Sequence, residues 1–251
     1  MSTIALAVAS GVLVGFSLAL IGGGGSILAT PLLLYVVGLS PPHMAIGTSA
    51  AAVCANAAIN LISHGRAGTV RWKSATIFAV VGSLGALIGS TIGKAVAGNH
   101  LLLLFGLLMI AVGLLMLRPR KAQASAEPAL RSPLVLAAVA MGVGVTAGFF
   151  GIGGGFLIVP GLVFATGMPM INAIGSSLLA VAAFGLTTAL SYAASGLVDW
   201  TVAAEFIAGG TIGGLIGLRL AMFLAEYRGV LNRIFAAVIF VVAVYVIYRS
   251  M

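Results

Sequence analysis

The residues in this chain best suited to chemistry are glycines and hydroxyls, and the glycines fall in two similar cassettes. IGGGGSILATPLL runs from Ile21 to Leu33, and FGIGGGFLIVPGL runs from Phe150 to Leu162. Each is a glycine cluster, then a short apolar run, then a proline. Each glycine costs a helix about 1 kcal/mol relative to alanine, so such clusters break helices. Glycine also leaves successive backbone N–H groups unshielded. A short helix beginning at Ser26, and another at about Phe156, would add free terminal amides and a favourable macrodipole. The candidate anion contacts are therefore Gly22, Gly24, Gly25 and Ser26 in the first cassette, and Gly151, Gly153, Gly154 and Gly155 in the second. Pro31 and Pro160 would bend or shorten the helices that follow. Glycine also lets membrane helices approach closely, and that reading suits Gly82, Gly85, Gly89 and their counterparts better. A nucleotide loop is excluded, since no Gly-Lys-Ser/Thr follows.

A second group is a polar stripe. Ser49, Asn56, Asn60 and Ser63 fall at i, i+7, i+11 and i+14, within about 60° of one another on a helix. Ser177, Thr188 and Ser191 repeat the spacing, with Phe184 in the place of Asn56. Polar groups at membrane depth face a cavity or a neighbouring helix. Both readings stand for Asn56, Asn60 and Thr188. Thr48, Ser49, Ser176 and Ser177 lie near helix starts beside the cassettes and are candidate substrate contacts. There is no buried acid pair and no His–Asp arrangement, so an enzyme is not expected. No cofactor or metal is expected either. His43 and His64 sit at loop edges, and Glu205 lies one turn into its segment.

The elements that must position these residues are membrane helices. Of 251 residues, 61% are hydrophobic and only 6% charged, against about 25% charged in a soluble domain. The first charged side chain is Arg66. Apolar stretches of about 20 residues span a bilayer. The single cysteine, Cys54, excludes an internal disulfide. The net charge of +8 reports orientation rather than nucleic-acid binding; the expected partners are a small anionic substrate and membrane lipid, and a homodimer is compatible with the sequence.

The chain is duplicated. The cassette prolines are 160 − 31 = 129 residues apart. AIGTSAAAV (Ala45 to Val53) then matches AIGSSLLAV (Ala173 to Val181) at an offset of 128, and GTVRW (Gly68 to Trp72) matches GLVDW (Gly196 to Trp200). Gly82, Gly85 and Gly89 face Gly210, Gly213 and Gly217. This predicts a first membrane repeat over 1–117, a linker over 118–133 and a second repeat over 134–251. Five apolar segments are expected per half, near 3–21, 25–38, 44–64, 73–96 and 99–117, then 133–150, 155–167, 172–194, 200–223 and 229–249. The second of each is too short for a simple span, and either crosses obliquely or re-enters. Charge separates these cases. If every segment crosses, the halves are inverted and Lys/Arg divide 10 to 2 between the two sides; if the short segments re-enter, the division is 8 to 4. The positive-inside rule favours the first, with the linker cytoplasmic and both termini outside. The expected fold is thus an all-α polytopic membrane protein of two inverted repeats, about five helical segments each, with short glycine-interrupted half-helices. Paired, interrupted short segments in inverted repeats are a transporter signature.

The duplicated glycine-then-proline cassettes, each followed by AIGTS or AIGSS and by G-x-V-x-W, resemble the sulfite exporter TauE/SafE family, also called the toluene sulfonate uptake permease family. The resemblance covers essentially the whole chain. It implies a bacterial inner-membrane carrier of sulfite, thiosulfate, sulfoacetate or other organosulfonates. The alternatives are a passive anion channel and a scaffold subunit of a larger complex. The cassettes differ at Gly23 and Ser26, matched by Ile152 and Gly155, so the two half-sites are not equivalent.

Overall fold

A computed structural model of the chain describes residues 3–117, 132–151, 155–223 and 240–248. Among these the regular structure is entirely helical. The first half contains α1 (Thr3–Ile21), α2 (Ala29–Pro31), α3 (Pro42–Arg66), α4 (Trp72–Ala95) and α5 (Gly98–Leu117). The second contains α6 (Pro133–Phe150), α7 (Gly155–Thr166), α8 (Met170–Ala193) and α9 (Trp200–Phe223), and residues 240–248 form α10. Among the described residues, five helices are long and apolar enough to cross a membrane: α3, α4, α6, α8 and Trp200–Gly217 of α9. Their outer faces are apolar. Leu84, Leu87, Ile88 and Ile92 of α4, and Ile212, Leu215 and Ile216 of α9, are all exposed. Facing lipid, they need no protein partner. This is a multi-pass membrane protein.

Two pairings, α1 on α9 and α4 on α6, dominate the packing, and each uses glycine. A Cβ at Gly15 would strike the Gly210 backbone, and one at Gly144 the Gly82 backbone. Gly213 meets the Val12 carbonyl and Gly85 the Met141 carbonyl; Gly217 meets the Phe16 carbonyl and Gly89 the Val145 carbonyl. Each contact has its counterpart with the halves exchanged. Small residues are what allow backbones to approach this closely.

The same contacts set helix direction. Gly11 meets Phe206, Gly15 meets Gly210, and Gly217 meets Phe16. Numbers rise together, so α1 and α9 are parallel. The same holds for α4 and α6, and for α3 and α9, where Asn56 meets Gly210 and Asn60 meets Gly214. The starts of α4 and α8 are joined by a hydrogen bond from the Arg71 N–H to Ser176 Oγ, and their ends by one from Lys94 Nζ to the Ser191 carbonyl. By contrast Gly47 abuts Tyr192 and Leu197, while Gly185 abuts Ala50 and Cys54; α3 and α8 are antiparallel. Helices α1, α3 and α9 thus run one way, and α4, α6 and α8 the other.

This orientation decides what the short segments do. Since α1 and α3 run the same way, the chain between them must return across the thickness of the bundle; α6 and α8 require the same of α7. The first return differs from the helix expected over 25–38. It is a 3₁₀ helix at Gly22–Leu28, one α-turn at Ala29–Pro31 and a π-turn at Leu32–Val36. Four glycines tolerate the tighter winding. Pro31 lacks an N–H, which breaks the regular ladder, and the bonds that follow widen, from the Val37 N–H to the Leu32 carbonyl at 3.0 Å and the Leu39 N–H to the Leu33 carbonyl at 2.9 Å. At about 2.0 Å per residue in the 3₁₀ part and 1.5 Å elsewhere, the segment covers about 26 Å. That approaches the roughly 30 Å hydrocarbon core, so winding change lengthens a segment that is short in residues.

Candidate functional site

The 3₁₀ cassette packs against α1, α7 and α8, so the short segment of one half lies against the short segment of the other. Around this meeting point lie buried hydroxyls. Ser26 and Ser177 are 0% exposed, and Thr30 and Ser49 are 1% exposed. Thr30 Oγ1 and Ser49 Oγ share a hydrogen bond of 2.8 Å. Ser49 Oγ also donates to the Ile46 carbonyl at 2.9 Å, and Ser177 Oγ to the Ile174 carbonyl at 2.7 Å, the matching position. No carboxylate among the described residues is buried. The centre is therefore rich in hydroxyls and free of negative charge, a setting that tolerates an anion.

The cassettes themselves differ from the expected helix starts. The 3₁₀ helix follows α1 without a gap, beginning at Gly22 rather than Ser26. Its amides turn inward to helical bonds, and Ser26 is not a helix N-terminus. Gly25 packs against α1: a Cβ there would press on the backbone of Ser17 and Leu18. In the second cassette Gly151 ends α6 in the left-handed region, at φ 65° and ψ 20°. Its N–H bonds back to Ala147 and Gly148, and a Cβ would collide with Ile46. Ile152, Gly153 and Gly154 lie outside the described residues. Gly155 opens α7, one residue before the expected Phe156.

Thr48 and Ser176 act at a different place from Ser49 and Ser177. Thr48 Oγ1 accepts from the Asp199 N–H at 2.9 Å, and Ser176 Oγ from the Arg71 N–H at 2.8 Å. These are matching joints, each fastening the start of a long helix in one half to a buried hydroxyl of the other. Asp199 also caps α9, its Oδ1 accepting from Thr201 and Val202 N–H at 3.0 Å each.

Of the stripe, Asn56, Asn60 and Thr188 are buried, whereas Ser63 and Ser191 are partly exposed. Asn56 and Asn60 lie against Gly210 and Gly214 of α9. Asn60 Nδ2 donates to the Asn56 carbonyl at 2.9 Å. The side-chain amide of Asn56 has no partner through either atom, nor does the Thr188 hydroxyl. Phe184, in the place of Asn56, instead stacks on Phe78 with ring centroids 6.2 Å apart.

Sequence reasoning set His64 at a loop edge, whereas it is buried within α3, and it passed over the residue matching it. Tyr192 stands 192 − 64 = 128 residues after His64, the offset of the surrounding repeat, so alignment of the halves would have found it. Both are buried, and Tyr192 OH lacks a partner. His64 lies beside the Ala19 backbone near the end of α1, and Tyr192 packs with Phe149 and Phe150 at the end of α6. Each is next to a glycine cassette.

The comparisons agree with this architecture. The family described as Sulfite exporter TauE/SafE matches residues 7–246. A probable membrane transporter protein of Xylella fastidiosa (strain 9a5c) is 61% identical over 246 residues, covering 97% of this chain and 94% of its own. The probable membrane transporter protein YunE of Bacillus subtilis (strain 168) is 29% identical over 230 residues, covering 82% and 84%. No solved structure matches. With a match from the first helix to the last, the chain belongs to the TauE/SafE sulfite exporter family of membrane transporters.

Proposed function

We propose that this protein is a secondary carrier of a small sulfur oxyanion or organosulfonate, held where the two short segments meet α3 and α8. The observation that carries this reading is the cluster of buried hydroxyls, Ser26, Thr30, Ser49 and Ser177, with no carboxylate buried among the described residues. The reciprocal contacts and opposed helix directions support inverted repeats related by an axis in the membrane plane. In such transporters the site lies near mid-membrane, where the repeats meet. Alternating access would then rock one half against the other.

The test is calorimetry on purified protein with sulfite, thiosulfate, sulfoacetate, sulfate and taurine, followed by flux into liposomes. No carboxylate among the described residues is buried there to balance an ammonium group, so taurine is expected to bind most weakly. Ser49→Ala with Ser177→Ala is expected to lower affinity at least about tenfold, from the loss of hydrogen bonds to a charged ligand. Flux should saturate and show counterflow. Taurine as the tightest ligand would overturn this reading, and flux linear in concentration would make the protein a channel.

A further inference from the structure

We propose a second oxyanion-binding point, built by Lys94 and Tyr192 beside His43, at the end of the bundle where α4 and α8 finish and α3 begins. It rests on the reading that the cargo is an anion.

Tyr192 is 0% exposed, yet its hydroxyl has no hydrogen-bond partner. A buried, unpaired hydroxyl is costly, so an ordered partner from outside the chain is the economical explanation. His43 faces it, with ring centroids 6.2 Å apart and planes inclined by 38°. His43 Nε2 lies 3.2 Å from the Val96 carbonyl. A carbonyl only accepts, so Nε2 carries the proton, and the buried Nδ1 is left without a partner. Lys94 supplies the charge. Its Nζ lies 5.9 Å from the Tyr192 ring centroid. It donates to the Ser191 carbonyl at 2.9 Å and to Ser195 Oγ at 3.1 Å. An ammonium has three donors, so one remains. No carboxylate among the described residues pairs with Lys94, and Asp199 is occupied in capping α9.

Two further features connect this point to the transport path. Ile46 of α3 packs in the same cluster as Tyr192 and also abuts Gly151, so the second cassette is adjacent. The matching residue of the other half, His64, is likewise buried beside the other cassette, where its ring reaches the Ala19 backbone. Hydrogen-bond donation from Tyr192 OH and Lys94 Nζ suits an oxyanion that pauses beside the cassette before entering or leaving the central hydroxyl cluster.

The test uses full-length protein in maltoside detergent stripped of phospholipid, with sulfite as probe. Tyr192→Phe keeps the ring and removes only the unpaired hydroxyl. It is expected to raise the melting temperature without sulfite, since a buried unsatisfied group is removed, while weakening sulfite binding about tenfold. Lys94→Gln should weaken binding similarly, and Lys94→Arg should restore most of it. A Tyr192→Phe protein that melts lower and binds normally would overturn the proposal, because the hydroxyl would then be structural. Equal binding by Lys94→Gln and wild type would also overturn it, and would leave the central site intact. If wild-type protein binds none of the sulfur oxyanions, both this proposal and the assigned cargo fall together.

Discussion

At the scale of single residues, the two halves carry the same positions to different ends. Phe184 fills its site with a ring stacked on Phe78, beside Gly82 of α4. Asn56 occupies the matching site beside Gly210 of α9, with its amide unpaired. A side chain kept for packing would be better served by a hydrocarbon there. Asn56→Leu keeps the branched shape and number of side-chain heavy atoms and removes the unpaired amide, so it should leave stability within about 1 kcal/mol of wild type. Transport should fall at least about tenfold if the amide lines the path. Thermal unfolding in detergent and flux in liposomes measure the two effects separately. A lower melting temperature with normal flux would assign Asn56 to structure instead. The equal status of path and packing for Asn56 at the level of sequence had a physical cause. The period of a helix places a residue on a face, but a helix alone does not say what that face touches.

At the scale of elements, glycine has two roles that composition does not separate. On α6, Gly144 and Gly148 lie against the backbone carbonyls of Gly82 and Ala86 on α4. A Cβ there has nowhere to go, because the obstructing atoms are backbone. Gly142, on the same helix, has nothing within 4 Å of where its Cβ would stand. Gly144→Val should therefore destabilise by about 3 kcal/mol or more, beyond the usual cost of overpacking. Gly142→Ala should gain as much as about 1 kcal/mol from helix propensity. Yield and melting temperature of the two purified variants provide the comparison; similar behaviour would show that α4 and α6 do not pack as described. Gly25 also belongs with the packing glycines, since Ser17 and Leu18 of α1 lie where its Cβ would be. Loss of function in Gly25→Val would thus report α1 packing as much as anion contact. Sequence singled out Gly25 because it sits in a cluster, whereas the neighbour that excludes a side chain is seen only in three dimensions.

At the scale of the whole molecule, opposed helix directions place the starts of α1 and α6 at opposite ends of the bundle. The start of α4 carries Trp72 and the start of α9 carries Trp200, 54% and 63% exposed. These helices run in opposite directions, so the two indoles stand at opposite ends of the bundle, as belts at two membrane interfaces would. From the charge asymmetry we propose an orientation with the linker cytoplasmic and both termini outside. Single cysteines at Ser2, Ser125 and Ser250, in a Cys54→Ala background, can be probed with an impermeant thiol reagent on intact cells. Labelling is expected at Ser2→Cys and Ser250→Cys, with Ser125→Cys protected until the membrane is opened. The reverse pattern would invert the molecule in the membrane.

Composition by itself determined the membrane setting, since so few charges cannot cover a water-facing surface. The offsets of 128 and 129 established the duplication, and the cassettes with their AIGTS, AIGSS and G-x-V-x-W partners pointed to the family. These are legible because they are local or periodic properties of a linear chain. Tertiary structure alone decided the rest. It showed that the short segments return across the bundle, a consequence of α1 and α3 being parallel, which no single segment encodes. It set Thr48 and Ser176 at the helix joints and Ser49 and Ser177 at the hydroxyl centre, though each pair is adjacent in sequence. One residue turns a helix by about 100°, so neighbours face different partners, and which partners those are depends on how distant helices meet. It also exposed Tyr192 and His64 as buried groups, with the Tyr192 hydroxyl unsatisfied. Burial and satisfaction are relations between residues far apart in the chain, and only the folded protein brings them together.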